Sequence, residues 1–202
     1  MKRRTKLALY ASILLFSTLN TAQAETLLSG ADARTLAMTC AGCHGTDGAS
    51  VGPASPTIGG MYRGYFIEIM EGFRSGEIYS TVMGRIARGY TDDEIELMAD
   101  YFMSKPFVPA QQSYDRNLVP VGARLHDRYC ERCHADGGIP LEDEEYFILA
   151  GQWTPYLEYA MEDFLADRRP IERRMKQELD RLMRREGPDG LQAIFAFYGS
   201  LQ

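Results

Sequence analysis

The chain contains itself twice. Ala33-Arg34 … Cys40-Ala41-Gly42-Cys43-His44 returns as Ala123-Arg124 … Cys130-Glu131-Arg132-Cys133-His134, displaced by 90 residues. Tyr65, Met70 and Phe73 match Tyr156, Met161 and Phe164 at 91, and Met83 matches Met175 at 92. Residues 95–104 and 191–200, each with an adjacent aromatic pair, match at 96. The offset drifts in one direction, as loop insertions between fixed elements produce. Any fold for this chain must therefore be two copies of one unit, each burying its own apolar face. A unit of 85–90 residues has a marginal core of side chains alone, so a large bound group supplying apolar bulk is expected in each.

The junction falls where Pro106, Pro109 and Pro120 stand among polar residues, an extended linker over residues 106–121. The units are then residues 25–105 and 122–202. Apolar residues at three- and four-residue spacing predict helices over residues 31–41, 64–73, 122–133 and 155–164. Asp92, Asp93 and Glu94 open a further helix ending near Met103, where carboxylates suit the helix dipole. No stretch alternates with period two, so the expected class is all-α. Residues 45–60 and 135–140 are read as loops.

Both Cys40-x-x-Cys43-His44 and Cys130-x-x-Cys133-His134 carry the attachment signature of c-type haem. Positions i, i+3 and i+4 of a helical turn project to one side, so two thiols can reach the vinyl groups while the histidine reaches the iron. A zinc site or a redox dithiol leaves the adjacent histidine unexplained in both copies. Two covalently bound haems are therefore expected, with Cys40, Cys43, Cys130 and Cys133 as attachment points and His44 and His134 as iron ligands.

Two methionine pairs survive the repeat as sixth ligands. Met70 and Met161 lie on the middle helices and read as packing residues. Met83 and Met175, 39 and 41 residues after their histidines, are preferred; methionine with histidine is the ligand set of electron-transfer haems. With both axial positions filled the irons transfer electrons rather than bind substrate, and no substrate-oxidising group belongs to the chain itself.

Residues 1–24 read as a cleaved signal peptide. Lys2, Arg3, Arg4 and Lys6 precede an apolar run from Leu7 to Leu19, and Ala22-Gln23-Ala24 offers the small-x-small cleavage pattern. That run is shorter than the ~20 residues a membrane span needs. Cleavage removes four of the 22 basic residues and none of the 28 acidic ones, taking the net charge from −6 to −10. An acidic chain without a basic stripe is not a nucleic-acid binder. A periplasmic location is expected.

Cys40-AGCHGTDGASVGPASP-Thr57, Met70-EGFRSGEIYSTVMGRIARGY-Thr91, Leu125-HDRYCERCH-Ala135 and Ile148-LAGQWTPYLEYAMEDF-Leu165 together resemble the di-haem class I cytochromes c. Within that family the chain is most similar to the cytochrome subunits of flavocytochrome c sulfide dehydrogenases. The resemblance covers nearly all of the mature chain. It implies two tandem class I cytochrome c domains related by pseudo-twofold symmetry, each haem held by His and Met (His44 with Met83, His134 with Met175). It also implies a heterodimer with an FAD-containing subunit that oxidises sulfide, and a soluble cytochrome c as acceptor, the FAD residing on the partner. Met175 departs from the pattern: its setting Arg173-Arg174-Met175-Lys176 is more charged than Val82-Met83-Gly84. A free-standing di-haem carrier delivering electrons to a terminal oxidase has the same ligands. An enzyme with an open haem requires one methionine off the iron.

Smaller features stay open. Pro53 and Pro140 are candidates for the carbonyl that accepts a proximal histidine N–H, or are turn prolines. Trp153, Tyr65 and Tyr156 are candidates for haem contacts or for core. His126 reads as structural or solvent-exposed. Arg168, Arg169, Arg173, Arg174 and Lys176 read as a solvated face, with propionates or an acidic partner as the other reading.

Overall fold

Helix forms wherever the apolar residues return every three or four positions, and the caps decide where each one starts. The structure, a computed structural model, describes residues 30–139 and 147–202. Among the described residues there are nine α-helices, two short 3-10 turns and no strand. The leader read over residues 1–24 lies outside them, as does Pro140.

The first half holds α1 (Ala33–Met38), α2 (Ala41–His44), α3 (Arg63–Ser75), α4 (Met83–Ile86) and α5 (Asp92–Met103). α1 starts at Asp32, whose carboxylate accepts the Thr35 N–H at 2.8 Å. The single helix expected over residues 31–41 is broken: Thr39 Oγ1 turns back to the Leu36 carbonyl at 2.7 Å, and the chain tightens before α2 begins. α3 ends at Gly76, whose φ of +85° gives the left-handed cap. α5 has a capping box, Thr91 with Glu94, and the expected run of acidic residues in its first turn.

The second half holds α6 (Val119–Tyr129), α7 (Thr154–Leu165), α8 (Arg173–Arg185) and α9 (Gly187–Ser200). α6 begins three residues ahead of the expected 122. Pro120 lies in its first turn rather than in an extended linker, because a missing N–H costs nothing there.

Each half is closed by crossing its leading helix on its last: α1 on α5, and α6 on α9. In the first half Leu36, Ile95, Met98 and Phe102 are almost fully buried, and the Phe66 and Phe102 rings stand 5.6 Å apart. In the second, Leu125, Tyr129, Leu182, Ile194 and Tyr198 form the core with Leu157 and Leu179. Burying a side chain of this size stabilises by about 1.5–3 kcal/mol, so these crossings carry each half. Gly122 makes the α6–α9 crossing close, since a Cβ there would lie 1.9 Å from the Ala193 carbonyl oxygen.

The duplication shows in the backbone hydrogen bonds. The Gly48 carbonyl accepts from Ile58 and Gly59, and the Gly138 carbonyl accepts from Leu149 and Ala150. Gly60 donates to Phe102 at 2.9 Å, and Gly151 to Tyr198 at 2.9 Å. Residues Ala31–Gln202 nevertheless cluster as one unit. Hydrogen bonds between the halves explain this: Gln152 and Trp153 reach into the loop that follows the first cysteine motif, and Tyr79 N–H donates to the Arg168 carbonyl at 3.1 Å. No helix among the described residues is long and apolar enough to cross a membrane.

Candidate functional site

Each cysteine motif is a single helical turn closed by two hydrogen bonds to one carbonyl. Cys40 O accepts from Cys43 N at 3.2 Å and His44 N at 2.9 Å; Cys130 O accepts from Cys133 N at 3.0 Å and His134 N at 2.9 Å. On such a turn positions i, i+3 and i+4 project to one side. Burial raises the Cys40 thiol and pushes Cys130 up to about 11, so both are protonated at neutral pH.

The histidines are neutral too. His44 is buried, and its Nδ1 lies 2.8 Å from the Pro56 carbonyl oxygen. A carbonyl only accepts, so Nδ1 carries the proton and Nε2 keeps its lone pair, the form that ligates a metal. Burial holds His44 below the usual histidine range despite that hydrogen bond. Burial, followed by the neighbouring His126, pushes His134 down to about 4. The carbonyl accepting from His44 is not that of Pro53, which is exposed, but that of Pro56 three residues on. A loop with two prolines in four residues gave no means of choosing between them.

The two preferred methionines each stand in the first turn of a helix. Met83 is the first residue of α4, and its N–H donates to Ser80 Oγ at 2.8 Å. Met175 is the third residue of α8, and its N–H donates to Glu172 Oε2 at 3.2 Å. Both are half-buried in the first turn of a helix, each capped by a side chain three residues earlier. α8 packs on α6, the helix that runs into the second motif. α4 packs on α3, and the segment following it is tied back at Tyr90, whose Oη stands 2.5 Å from Thr39 Oγ1, next to Cys40. Met70 is buried in α3, and Met161 packs against the second core, as packing residues do.

The remaining candidates resolve by contact. His126 is fully buried, with Nδ1 2.9 Å from Tyr198 Oη and Nε2 2.7 Å from Glu131 Oε2, a structural histidine. Trp153 Nε1 donates to the Ser50 carbonyl at 3.2 Å, and its ring lies against Gly52 of the first half. Arg173, Arg174 and Lys176 are exposed on α8 as a solvated face. Arg169 departs from that reading: its guanidinium donates to Tyr65 Oη at 3.0 Å, hydrogen-bonds Tyr156, and stands 5.0 Å over the Phe164 ring. The matched tyrosines of the two halves thus meet on one arginine.

Sequence reasoning missed Gln152. It is fully buried, its Oε1 accepting the Thr57 N–H and its Nε2 donating to the Thr57 carbonyl, both at 2.9 Å. The repeat hides it, since the residue 91 positions earlier is Met61.

No protein-family profile matches the chain. The cytochrome subunit of sulfide dehydrogenase from Chlorobaculum tepidum is 49% identical over 67 residues, which is 33% of this chain and 60% of that protein. The thiosulfate dehydrogenase electron acceptor of Stutzerimonas stutzeri is 30% identical over 162 residues, 75% of this chain and 74% of that protein. Among solved structures, reduced recombinant cytochrome c4 from Pseudomonas stutzeri superposes with a TM-score of 0.71 at 20% identity, covering 84% of this chain and 97% of that one. An all-α chain with two Cys-x-x-Cys-His turns, two neutral histidines and this extent of likeness has one assignment: it belongs to the di-haem class I cytochromes c, electron-transfer proteins with covalently held haem.

Proposed function

We propose that the chain is the di-haem electron-transfer subunit of a periplasmic sulfide-oxidising flavocytochrome c. Cys40, Cys43, Cys130 and Cys133 hold the two haems through thioethers, each thiol adding its S–H across a vinyl group. His44 and Met83 ligate the first iron, His134 and Met175 the second. Residues 25–105 and 122–202 act as the two domains once the leader, residues 1–24, has been removed on export. The haem irons supply one-electron chemistry when bound. The chain's own residues fix the ligands and shield them: Pro56 sets the His44 tautomer, and Ser80 and Glu172 fix the helix turns that present the methionines. Electrons enter from the FAD of a partner subunit and leave to a soluble cytochrome c.

One observation carries the reading: two Cys-x-x-Cys-His turns closed by the same pair of backbone bonds, each with a neutral histidine, and two methionines that each stand in the first turn of a helix. The sulfide partner is supported by the 49% identity to the Chlorobaculum subunit. A second reading has an observation of its own. The likeness that runs over three-quarters of the chain is to an electron acceptor of thiosulfate dehydrogenase, which favours a carrier serving a sulfur-oxidising dehydrogenase without a permanent flavin partner.

The flavin-to-haem ratio of native protein from a periplasmic extract separates the two. One flavin per two haems, on a second co-purifying chain, is the expected result, and sulfide then reduces both haems. Haem without flavin, on a chain well behaved alone, transfers the assignment to the free carrier.

A further inference from the structure

We propose that Gln152, a residue of the second half, is a positioning residue for His44 in the first, and that it sets the potential of the first haem from across the molecule. The inference rests on His44 being an iron ligand.

The chain of contacts is short and buried. His44 Nδ1–H donates to the carbonyl of Pro56 at 2.8 Å. That carbonyl and the N–H of Thr57 belong to one planar peptide group. Gln152 Oε1 accepts this N–H at 2.9 Å, and Gln152 Nε2 donates to the next carbonyl, that of Thr57, at 2.9 Å. The peptide between Pro56 and Thr57 is thus gripped by the histidine on one edge and by the glutamine on the other. It cannot rotate without breaking both bonds.

Gln152 and Thr57 are 0% and 2% exposed, so no solvent substitutes for either bond. Gln152 is itself fixed, because Gln112 Nε2 donates to its backbone carbonyl at 2.7 Å. Its amide orientation follows from its partners: oxygen toward an N–H, nitrogen toward a carbonyl. Polarisation along the series makes the Pro56 carbonyl a better acceptor, and a stronger Nδ1–H bond makes the imidazole a stronger donor to iron.

The arrangement is one-directional. At the offset of 91 that pairs the two halves here, the counterpart of Gln152 is Met61, a buried thioether with no amide to offer. The second half holds the first haem's histidine, and the first half has no matching amide to return the grip.

The test uses the haem-loaded protein. Gln152→Met keeps the volume and is the residue the repeat already has at position 61. The expected result is an upward shift in the midpoint potential of the first haem, as its histidine donates less, with the second haem unmoved. The two waves are assigned through the axial-ligand protons by NMR, and the His44 Nδ1 proton should exchange faster than in wild type. Trp153→Phe, which removes the bond to Ser50 but leaves Gln152, should leave both potentials in place. In wild type, the Thr57 amide and the His44 Nδ1 proton should exchange at one common rate, because one peptide rotation frees both.

Unshifted potential in folded Gln152→Met, equal shifts at both haems, an equal shift in Trp153→Phe, or unrelated wild-type exchange rates overturn the proposal. A wild-type protein with fewer than two haems per chain fails the His44 ligand assignment instead, before any variant is made.

Discussion

In the first half the turn Cys40–His44 is held from behind. The Pro56 carbonyl fixes the histidine, and the second half fixes the peptide that carries it. In the second half the turn Cys130–His134 is held from within, by Glu131 in the spacer of its own motif. Glu131 binds His126 at 2.7 Å, accepts the Asp136 N–H at 3.0 Å and the Gly137 N–H at 3.4 Å, and so ties the loop after His134 to α6. The matching spacer residue in the first half is Ala41, which has nothing to tie with. Two copies with the same backbone bonds have thus found different side chains to brace the same turn. A duplicated scaffold conserves the geometry a cofactor needs and leaves its support free to diverge.

The largest way to break the comparison is at the methionines. Met83→Ala and Met175→Ala should each lower the potential of its own haem, by a sizeable part of the ~0.8 V that axial ligation spans. Each should spare the other haem. Separate potentiometric titrations check this, and a variant that moves neither potential removes that methionine from the iron.

Gly122 comes next. In the second half it lies where α6 meets α9, and a valine there would drive Cβ into the Ala193 carbonyl at 1.9 Å. Overpacking costs about 1–3 kcal/mol when side chains can yield. Here the obstacle is backbone, so the loss should reach at least the upper end. The residue 90 positions earlier is Asp32, the exposed N-cap of α1, and Asp32→Ala should cost much less, the loss of one helix cap. Urea unfolding of both variants measures the contrast; equal losses would show that the two helix crossings are closer in kind than the glycine suggests.

What could be read from the sequence follows the same division. The repeat, the helical class and the two Cys-x-x-Cys-His turns were legible because each is a periodicity or a fixed spacing. Pro56 and Gln152 were not, since they act through a tertiary contact that no periodicity encodes. Gln152 was further hidden by an apolar counterpart in the other copy. Arg169 was read with its charged neighbours as solvated, yet it turns inward because two tyrosines from different halves converge on it. The start of α6 was placed late because Pro120 signals a linker and a helix first turn equally well.

Glu131→Gln sharpens the comparison through pH. Burial raises the Glu131 carboxyl, but the bonds from His126 and from the Asp136 and Gly137 amides outweigh it and hold it below its ordinary value. A lowered carboxylate contributes stability that is complete above its unfolded value, ~4.3, and is lost as pH falls through the folded one. Wild-type stability should therefore decline below about pH 4.3, and the glutamine variant should decline less steeply over that range. At pH 7 the variant should be weaker by about 1 kcal/mol, the difference between a charge-assisted and a neutral hydrogen bond to His126, since the glutamine oxygen still accepts. Equal acid slopes in the two proteins would move the brace elsewhere.

The smallest contrast lies at the start of the closing helices. α5 begins with the Thr91–Glu94 capping box, Glu94 Oε2 accepting the Thr91 N–H at 2.8 Å and Thr91 Oγ1 accepting the Glu94 N–H at 3.3 Å. The residue 96 positions on is Gly187, where α9 starts straight after α8 with no side-chain cap. Gly187 has φ +67°, and a Cβ there would touch nothing within 4 Å. Thr91→Ala should cost ~1 kcal/mol by leaving first-turn amides uncapped. Gly187→Ala should cost about 1–2 kcal/mol by a different route, the strain of a left-handed alanine. Salt should alter the first loss, because Glu94 is part of the cap, and leave the second alone. Thermal unfolding at two ionic strengths separates them. If both respond to salt alike, the α8–α9 break depends on the charges around Glu186 and not on the glycine's backbone.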